Sequence, residues 1–145
     1  MLHKARMKDF DKIWSEFKKN RDIFPHIRSD YVKRQIKKNN VIFQDGVVLI
    51  YNKYKRSGRL GTTEYKKDDV IIHQILNCEM GNGNATKVMQ LFIIFKLGLQ
   101  RNCRLTVRSS NSRARSFYER QNMKIEGDIS WKNNTIEGKI YAIND

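Results

Sequence analysis

A short apolar run that ends in a glycine turn and restarts as an apolar helix, Val70 to Gln100, limits the fold more than any other stretch of this chain. It reads VIIHQILNCEM, then GNGNA, then TKVMQLFIIFKLGLQ. A further β-forming run follows at Arg104 to Arg108. Strand, helix and strand in that order make a crossover unit, with two parallel strands in one sheet. The helix is apolar nearly all round in LFIIF, so it is expected to be buried against that sheet. The turn carries chemistry as well. Gly81 and Gly83 have no side chain, so the chain can take positive φ there and main-chain amides can close on an anion. The first N–H groups of the helix lack internal partners, and its dipole places partial positive charge where a phosphate would lie. A bare G-x-G also occurs in ordinary strand-to-helix turns, and two well-known phosphate motifs fail here. A dinucleotide fingerprint needs a third glycine where Thr86 stands, and an acid about twenty positions on, where Arg101 and Asn102 stand. A P-loop needs Gly-Lys-Ser/Thr, and Lys87 follows Thr86 in the wrong order.

The flanking segments complete a mixed sheet covered by helices. Phe10, Ile13, Trp14 and Phe17 recur at helical spacing and predict a first helix from Met7 to Asn20. Pro25, the only proline, pushes Phe24 out of helical geometry and ends it. Ser29 reads as the N-cap of a second helix, Asp30 to Lys38, with Tyr31, Val32 and Ile36 inward. Asp45-Gly46 between two β-forming runs predicts an antiparallel hairpin. Lys55 to Asp69 reads as a long hairpin loop or poorly ordered strand ends. A helix with Ala114, Phe117 and Tyr118 inward follows Asn111, and strands near Met123 to Gly127 and Thr135 to Ala142 close the chain around a turn at Asn133 and Asn134. The expected fold is therefore mixed α/β, one domain over residues 1–145, with a central sheet and about four helices.

Composition bounds the partners. Lys and Arg outnumber Asp and Glu by 29 to 15, a net charge of +14. That balance suits a polyanion, whose phosphates bind by releasing counterions, or an anionic cofactor with the remaining charge solvated. Cys78 and Cys103 do not have metal-ligand spacing, and only His3, His26 and His73 could join them, so no metal is expected. No signal-peptide pattern and no membrane-length apolar run is present, which gives the expectation of an intracellular, cytoplasmic protein with reduced, packing cysteines.

Asn111, Ala114, Phe117 and Tyr118 lie in the pattern N-x-x-A-x-x-F-Y, with Asn122-Met123 where the next strand begins. With Met80-Gly81-Asn82-Gly83-Asn84-Ala85 before the apolar helix, this arrangement resembles the GCN5-related N-acetyltransferase (GNAT) superfamily. That family carries R/Q-x-x-G-x-G/A and, later, N-x-x-A-x-x-F-Y-x-x-x-G-F. The likeness spans residues 70–127. Met80 departs from the usual Arg or Gln, and Asn122-Met123 departs from Gly-Phe. The resemblance implies an acyltransferase that moves an acyl group from acetyl-CoA or another acyl-CoA to a primary amine. The pantetheine arm would pair with Gln74, Ile75, Leu76 and Asn77, and the pyrophosphate would rest on the amides of Met80, Gly81, Asn82, Gly83, Asn84, Ala85 and Thr86. Asn111 would hydrogen-bond the arm and Ala114 would let it pass. Tyr118 would be the general acid, unless it is simply a core aromatic.

An ammonium acceptor needs a base, and His73 on the strand is the natural candidate, with Glu64 and Glu79 in reserve. A structural histidine would account for His73 equally well. The acceptor wall in such a protein is the connection of the first two helices, here Phe24, Pro25, His26, Arg28 and Tyr31; a turn whose aromatics fill the core is the alternative. The segments FPHIR, DGVV and HQILN also look similar to small phage-encoded acetyltransferase-like proteins, to which the DNA-modifying Mom proteins are related. That likeness implies an adenine or other nucleobase amine as acceptor. Lys33-Arg34, Lys37-Lys38, Lys53-Tyr54-Lys55-Arg56, Arg59 and Lys66-Lys67, with Tyr51, Tyr54 and Tyr65 interleaved, suit nucleic acid, or else form a charged, solvated surface. A non-catalytic nucleic-acid-binding module on the same fold is the reading from another class.

Overall fold

The structure, a computed structural model, describes residues 2–79, 82–97 and 102–143. A 3-10 turn, Met7–Asp9, precedes helices α1 (Phe10–Lys19) and α2 (Ser29–Lys37). Strands β1 (Val41–Gln44), β2 (Val47–Lys53), β3 (Gly58–Leu60), β4 (Thr63–Tyr65) and β5 (Val70–Asn77) follow. Then come α3 (Asn84–Leu97), β6 (Cys103–Arg108), α4 (Ser112–Arg120), β7 (Lys124–Trp131) and β8 (Ile136–Ile143). Six strands hydrogen-bond in the order β1, β2, β5, β6, β8, β7, and β3 and β4 form a small sheet of their own. Only the β5–β6 pair is recorded as parallel among the described pairings, so the sheet is mixed, as the sequence leads one to expect. The chain forms two compact units, Met1–Tyr51 with Gln74–Val88, and Asn52–His73 with Met89–Asp145.

In the first unit, Phe10, Ile13 and Phe17 of α1 meet Val32 and Ile36 of α2 in one apolar cluster that also takes in Val41, Val48, Ile50 and Leu76. The helical spacing of those residues is what creates the faces. Ser29 is the first residue of α2 rather than its cap; Arg28 holds the cap position without a side-chain bond to the helix. The Asp30 carboxylate, within 3.6 Å of Arg28 and 3.4 Å of Arg34, supplies the negative charge the first turn favours. Asp45 and Gly46 both take left-handed φ, 52° and 73°, and Gln44 pairs with Val47, which makes the tight hairpin that Asp-Gly announced.

In the second unit, the parallel register runs from Val70↔Cys103 to Ile72↔Leu105. β8 pairs antiparallel with β6 and with β7, with a bulge between Ile125 and Gly127. Helix α4 ends in Asn122 at φ 63°, with Asn122 N–H donating to Glu119 O at 3.1 Å and Met123 N–H to Tyr118 O at 3.2 Å. This is a left-handed C-terminal stop, in which asparagine does what glycine usually does. Met123 is buried. Asn122-Met123 thus supplies a left-handed turn and a buried apolar anchor at the start of the next strand.

Of the two alternatives for Lys55 to Asp69 the hairpin is found, and the expected burial of α3 is corrected. Lys55 to Asp69 is an ordered arm built on the β3–β4 hairpin, with Tyr54 and Tyr65 stacked at 3.5 Å between ring centres. At its tip Gly61 has φ 55°, and a Cβ there would lie 2.1 Å from Asp128 O. Thr62 N–H donates to Asp128 O at 2.9 Å, and Asp128 N–H donates to Thr62 Oγ1 at 2.8 Å. These contacts join residues far apart in sequence, which is why local composition suggests a loop. Helix α3 is also less buried than its composition suggests: Val88, Met89 and Phe92 are buried, but Ile94 is 63% and Phe95 47% exposed.

The arm's base covers a charge cluster. Arg104, read from sequence only as a strand residue, is 5% exposed. It donates to Asp69 Oδ2 at 2.6 Å and to Glu126 Oε1 at 2.8 Å. A buried cation this well paired is costly to disturb, because truncating one member leaves the others uncompensated. Arg104→Met should lower unfolding free energy by about 3–5 kcal/mol, and Glu126→Gln, which keeps a hydrogen-bond acceptor, should cost less; urea midpoints check both.

Candidate functional site

The turn after β5 lies in the first unit and is organised by asparagine side chains. Glu79 N–H donates to Asn77 Oδ1 at 3.2 Å, Asn82 Nδ2 to Glu79 Oε2 at 3.4 Å, and Asn84 N–H to Asn82 Oδ1 at 3.0 Å. Met80 and Gly81, two of the residues expected to hold a cofactor, lie outside the described residues. Asn84 Nδ2 donates to Asp45 O at 2.9 Å, Lys87 Nζ is 3.4 Å from Asp45 Oδ2, and Cys78 N–H donates to Gly46 O at 2.8 Å. The Asp-Gly hairpin therefore buttresses the start of α3, a link that spacing could not reveal.

Gly83 takes φ 78°, and nothing lies within 4 Å of where its Cβ would be. The turn is thus left-handed at Gly83 and open above it, which is the shape an anion needs to approach bare backbone. The Asn84 amide, first of α3, is satisfied by the Asn82 carboxamide, an oxygen held where a phosphate oxygen would bind. Gln74, Ile75 and Asn77 are half-buried, and Leu76 belongs to the apolar cluster. Ala85 and Thr86 are half-buried in the first turn of α3.

The expected acid and base lie in the second unit. His73 is the residue after the last β5–β6 pair, and among the described pairings it does not continue the ladder with Thr106. His73 is exposed at the surface of the strand. Desolvation by the chain around the ring still lowers its pKa below the ordinary imidazole value.

Tyr118 is half-buried on α4, 5.6 Å from Phe117 and 6.0 Å from Tyr141 between ring centres. Burial pushes its phenol up to about 12. Tyr141 is fully buried; its hydroxyl donates to Glu119 Oε2 at 2.5 Å and accepts from Arg115 Nε at 3.1 Å. Arg115 Nη1 also donates to Ser109 O at 3.0 Å. This network pins the helix that carries Tyr118, and sequence reasoning missed it because it pairs α4 with a strand about 25 residues on. Asn111 has a second role too: its Oδ1 accepts from Ala114 N–H at 3.1 Å and caps α4, on which Ala114 is half-buried.

The expected acceptor wall divides. Phe24 packs edge-on against Phe17 at 5.3 Å, and Tyr31 packs on the same apolar cluster, its phenol raised to about 12 by burial. Both are partly buried against that cluster. Pro25, His26 and Arg28 are exposed and line a hollow of about 540 Å³ with Trp14, Arg21 and Asp30. The Arg21 guanidinium sits over the Trp14 ring at 5.4 Å. Of the reserve bases, Glu64 faces Arg59 at 3.2 Å on the arm, and Glu79 is taken up in the turn. Burial, with the Glu16 carboxylate beside it, pushes the Cys78 thiol up to about 11, and burial pushes Cys103 up to about 12, which disfavours the thiolate of both. Among the described residues no group of three His, Cys, Asp or Glu could hold a metal ion, and no helix is long and apolar enough to cross a membrane.

No family model and no curated protein sequence matches this chain. Solved structures do. The chain is similar to Arabidopsis thaliana NAA60 in complex with acetyl-CoA, with TM-score 0.71 at 14% identity over 100% of this chain and 99% of that one. It is similar to a GNAT-family acetyltransferase from Bacillus cereus, with TM-score 0.69 at 14% identity over 100% and 96%. It is also similar to the ribosomal-protein-S18-alanine N-acetyltransferase from Escherichia coli, with TM-score 0.70 at 13% identity over 99% and 92%. The chain therefore has the fold of the GNAT acetyltransferases. Phage DNA-modifying proteins are not among these three.

The open space at Gly83 makes one outcome calculable from backbone alone. Gly83→Ala should cost about 1–2 kcal/mol, the strain of a left-handed residue with a side chain, and no steric penalty beyond it; chemical denaturation measures it.

Proposed function

We propose that this protein is an acyl-CoA-dependent N-acyltransferase, with acetyl-CoA as the donor and a primary amine as the acceptor. The observation that carries the reading is the end of the parallel β5–β6 ladder at Ile72↔Leu105, followed by a left-handed, open turn at Gly83 and a helix start. A strand that has left its neighbour offers unpaired backbone to an extended pantetheine arm. The GNAT fold, shared with a protein solved in complex with acetyl-CoA, supports the same donor. When bound, the thioester supplies an activated acyl carbon.

The chain's residues divide the remaining work. The amides from Asn82 to Thr86 take the pyrophosphate, with the Asn82 carboxamide giving way to a phosphate oxygen. Because its Oδ1 caps α4, Asn111 has its carboxamide nitrogen to offer the arm. His73, neutral at neutral pH because its pKa is lowered, takes the proton that an ammonium acceptor must lose before its nitrogen can attack. Carbon–nitrogen bond formation and carbon–sulfur cleavage would then yield the amide and the CoA thiol, the proton that the attacking nitrogen loses ending on the sulfur. A phenol at about 12 is a weaker acid than a free thiol at about 8.5, so Tyr118 acts chiefly by donating a hydrogen bond to the leaving sulfur.

The finer reading, a nucleobase amine as acceptor, draws on the Arg21, His26 and Arg28 lining of the α1–α2 hollow, which suits a phosphate-bearing molecule. It makes a different demand on His73, since an exocyclic base amine is already neutral.

Kinetics separate the roles. Tyr118→Phe should lower kcat by about 10²-fold. Thiol release from acetyl-CoA with a panel of primary amines measures it, and an unchanged rate at every pH would remove Tyr118 from the chemistry. For an ammonium acceptor the rate should rise with pH as His73 loses its proton and level off. A lowered His73 pKa moves that rise below the ordinary value of about 6.5, and His73→Gln should abolish it. A His73→Gln variant with a full rate on a nucleobase substrate would instead support the neutral amine.

A further inference from the structure

The arm, Lys55 to Asp69, carries a concentration of charge that acyl transfer does not use. On it lie Lys55, Arg56, Arg59, Lys66 and Lys67, with Lys53 just before it, against Glu64, Asp68 and Asp69. Arg59 is 3.2 Å from Glu64, and Lys53 is 3.6 Å from Asp68. Lys55, Arg56, Lys66 and Lys67 are exposed and have no ion-pair partner among the described residues.

Like charges repel, and a flexible loop would spread them apart; this arm is fixed at both ends. Tyr65 lies against Gly58, where a Cβ would be 2.3 Å from the phenol oxygen, and stacks on Tyr54. Tyr54 N–H donates to Asp69 O at 2.9 Å, and Lys66 N–H donates to Asp69 Oδ2 at 2.9 Å. The same Asp69 carboxylate holds Arg104. At the tip, Thr62 is bonded to Asp128 in both directions. A surface element so stapled presents its cations as a preformed array, and preformed arrays lose little entropy on binding.

We propose that this arm grips the sugar–phosphate backbone of a nucleic acid without reading its sequence. Phosphates answer the unpaired cations, and counterion release drives the contact. Tyr54 and Tyr65 give one face each to the other, and the proposal rests on the cations rather than on base stacking. None of the strongly exposed large apolar side chains, Met7, Ile23, Ile94, Phe95 and Ile125, lies on the arm, so it has nothing to insert into a lipid surface. The inference stands apart from acyl transfer, because the arm holds none of the residues assigned to the cofactor.

The test is fluorescence anisotropy with labelled single-stranded and duplex oligonucleotides of random sequence, from about 50 to 200 mM salt. The variant combines Lys55→Gln, Arg56→Gln, Lys66→Gln and Lys67→Gln. A control removes equal charge from α2 with Lys33→Gln, Arg34→Gln, Lys37→Gln and Lys38→Gln. The arm variant should bind at least about tenfold more weakly and flatten the duplex salt slope by roughly 3–4, while the control stays close to wild type. Circular dichroism and acetyl-CoA calorimetry on both variants show whether fold and cofactor binding persist. Equal losses in the two variants, no nucleic-acid binding at low salt, or equally tight binding of polyglutamate or of phosphatidylserine vesicles would overturn the proposal.

Discussion

The parallel pairing of β5 with β6 is the constraint on which the rest of the structure depends. Two parallel neighbours cannot be joined by a tight hairpin, so the chain must leave β5, cross over and return. That crossover is the asparagine-rich turn and α3. It fixes where a helix N-terminus must lie, namely just beyond the end of a central strand. In this protein the ladder holds three pairs, Val70↔Cys103 to Ile72↔Leu105, while β5 continues to Asn77. A strand that outruns its pairing and ends at an open, left-handed glycine combines two features used for extended, phosphate-bearing ligands.

The supporting contacts keep this arrangement in place at both ends. In the first unit the Asp45–Gly46 hairpin fixes the start of α3 through Asn84 and Lys87. In the second, the Arg104 cluster at the foot of the arm joins β6 to β7 and to the segment just before β5. In the same unit, Tyr141 of β8 holds α4 through Arg115 and Glu119, and the Asn122 stop sets where α4 ends. Tyr118 is therefore positioned by contacts that lie outside the N-x-x-A-x-x-F-Y pattern.

Much of this was legible in the sequence because it rests on local rules. Phe10, Ile13 and Phe17 face the core at the spacing a helix dictates, Asp-Gly gives its two-residue turn, and the βαβ order gives the parallel pair. What could not be read depends on partners distant in sequence. Arg104 looks like any strand cation until Asp69 and Glu126 are beside it. The arm looks like a loop because its strands are short and its stability comes from Tyr54, Tyr65 and Asp128. Ile94 and Phe95 show the opposite failure, where an apolar helix leaves part of its surface to solvent. At the candidate site, Asn111 and Tyr118 stand in the motif, yet the capping bond of one and the raised pKa of the other follow only from their surroundings.

The measurement that bears most directly on the account is calorimetric titration of acetyl-CoA into the wild-type protein and the Gly83→Ala variant. The account predicts one saturable site on the wild type, with affinity at least about tenfold weaker in the variant, about 1.4 kcal/mol, because the new methyl occupies the space above the turn. No heat of binding on the folded wild type, or equal affinity in both proteins, would contradict it.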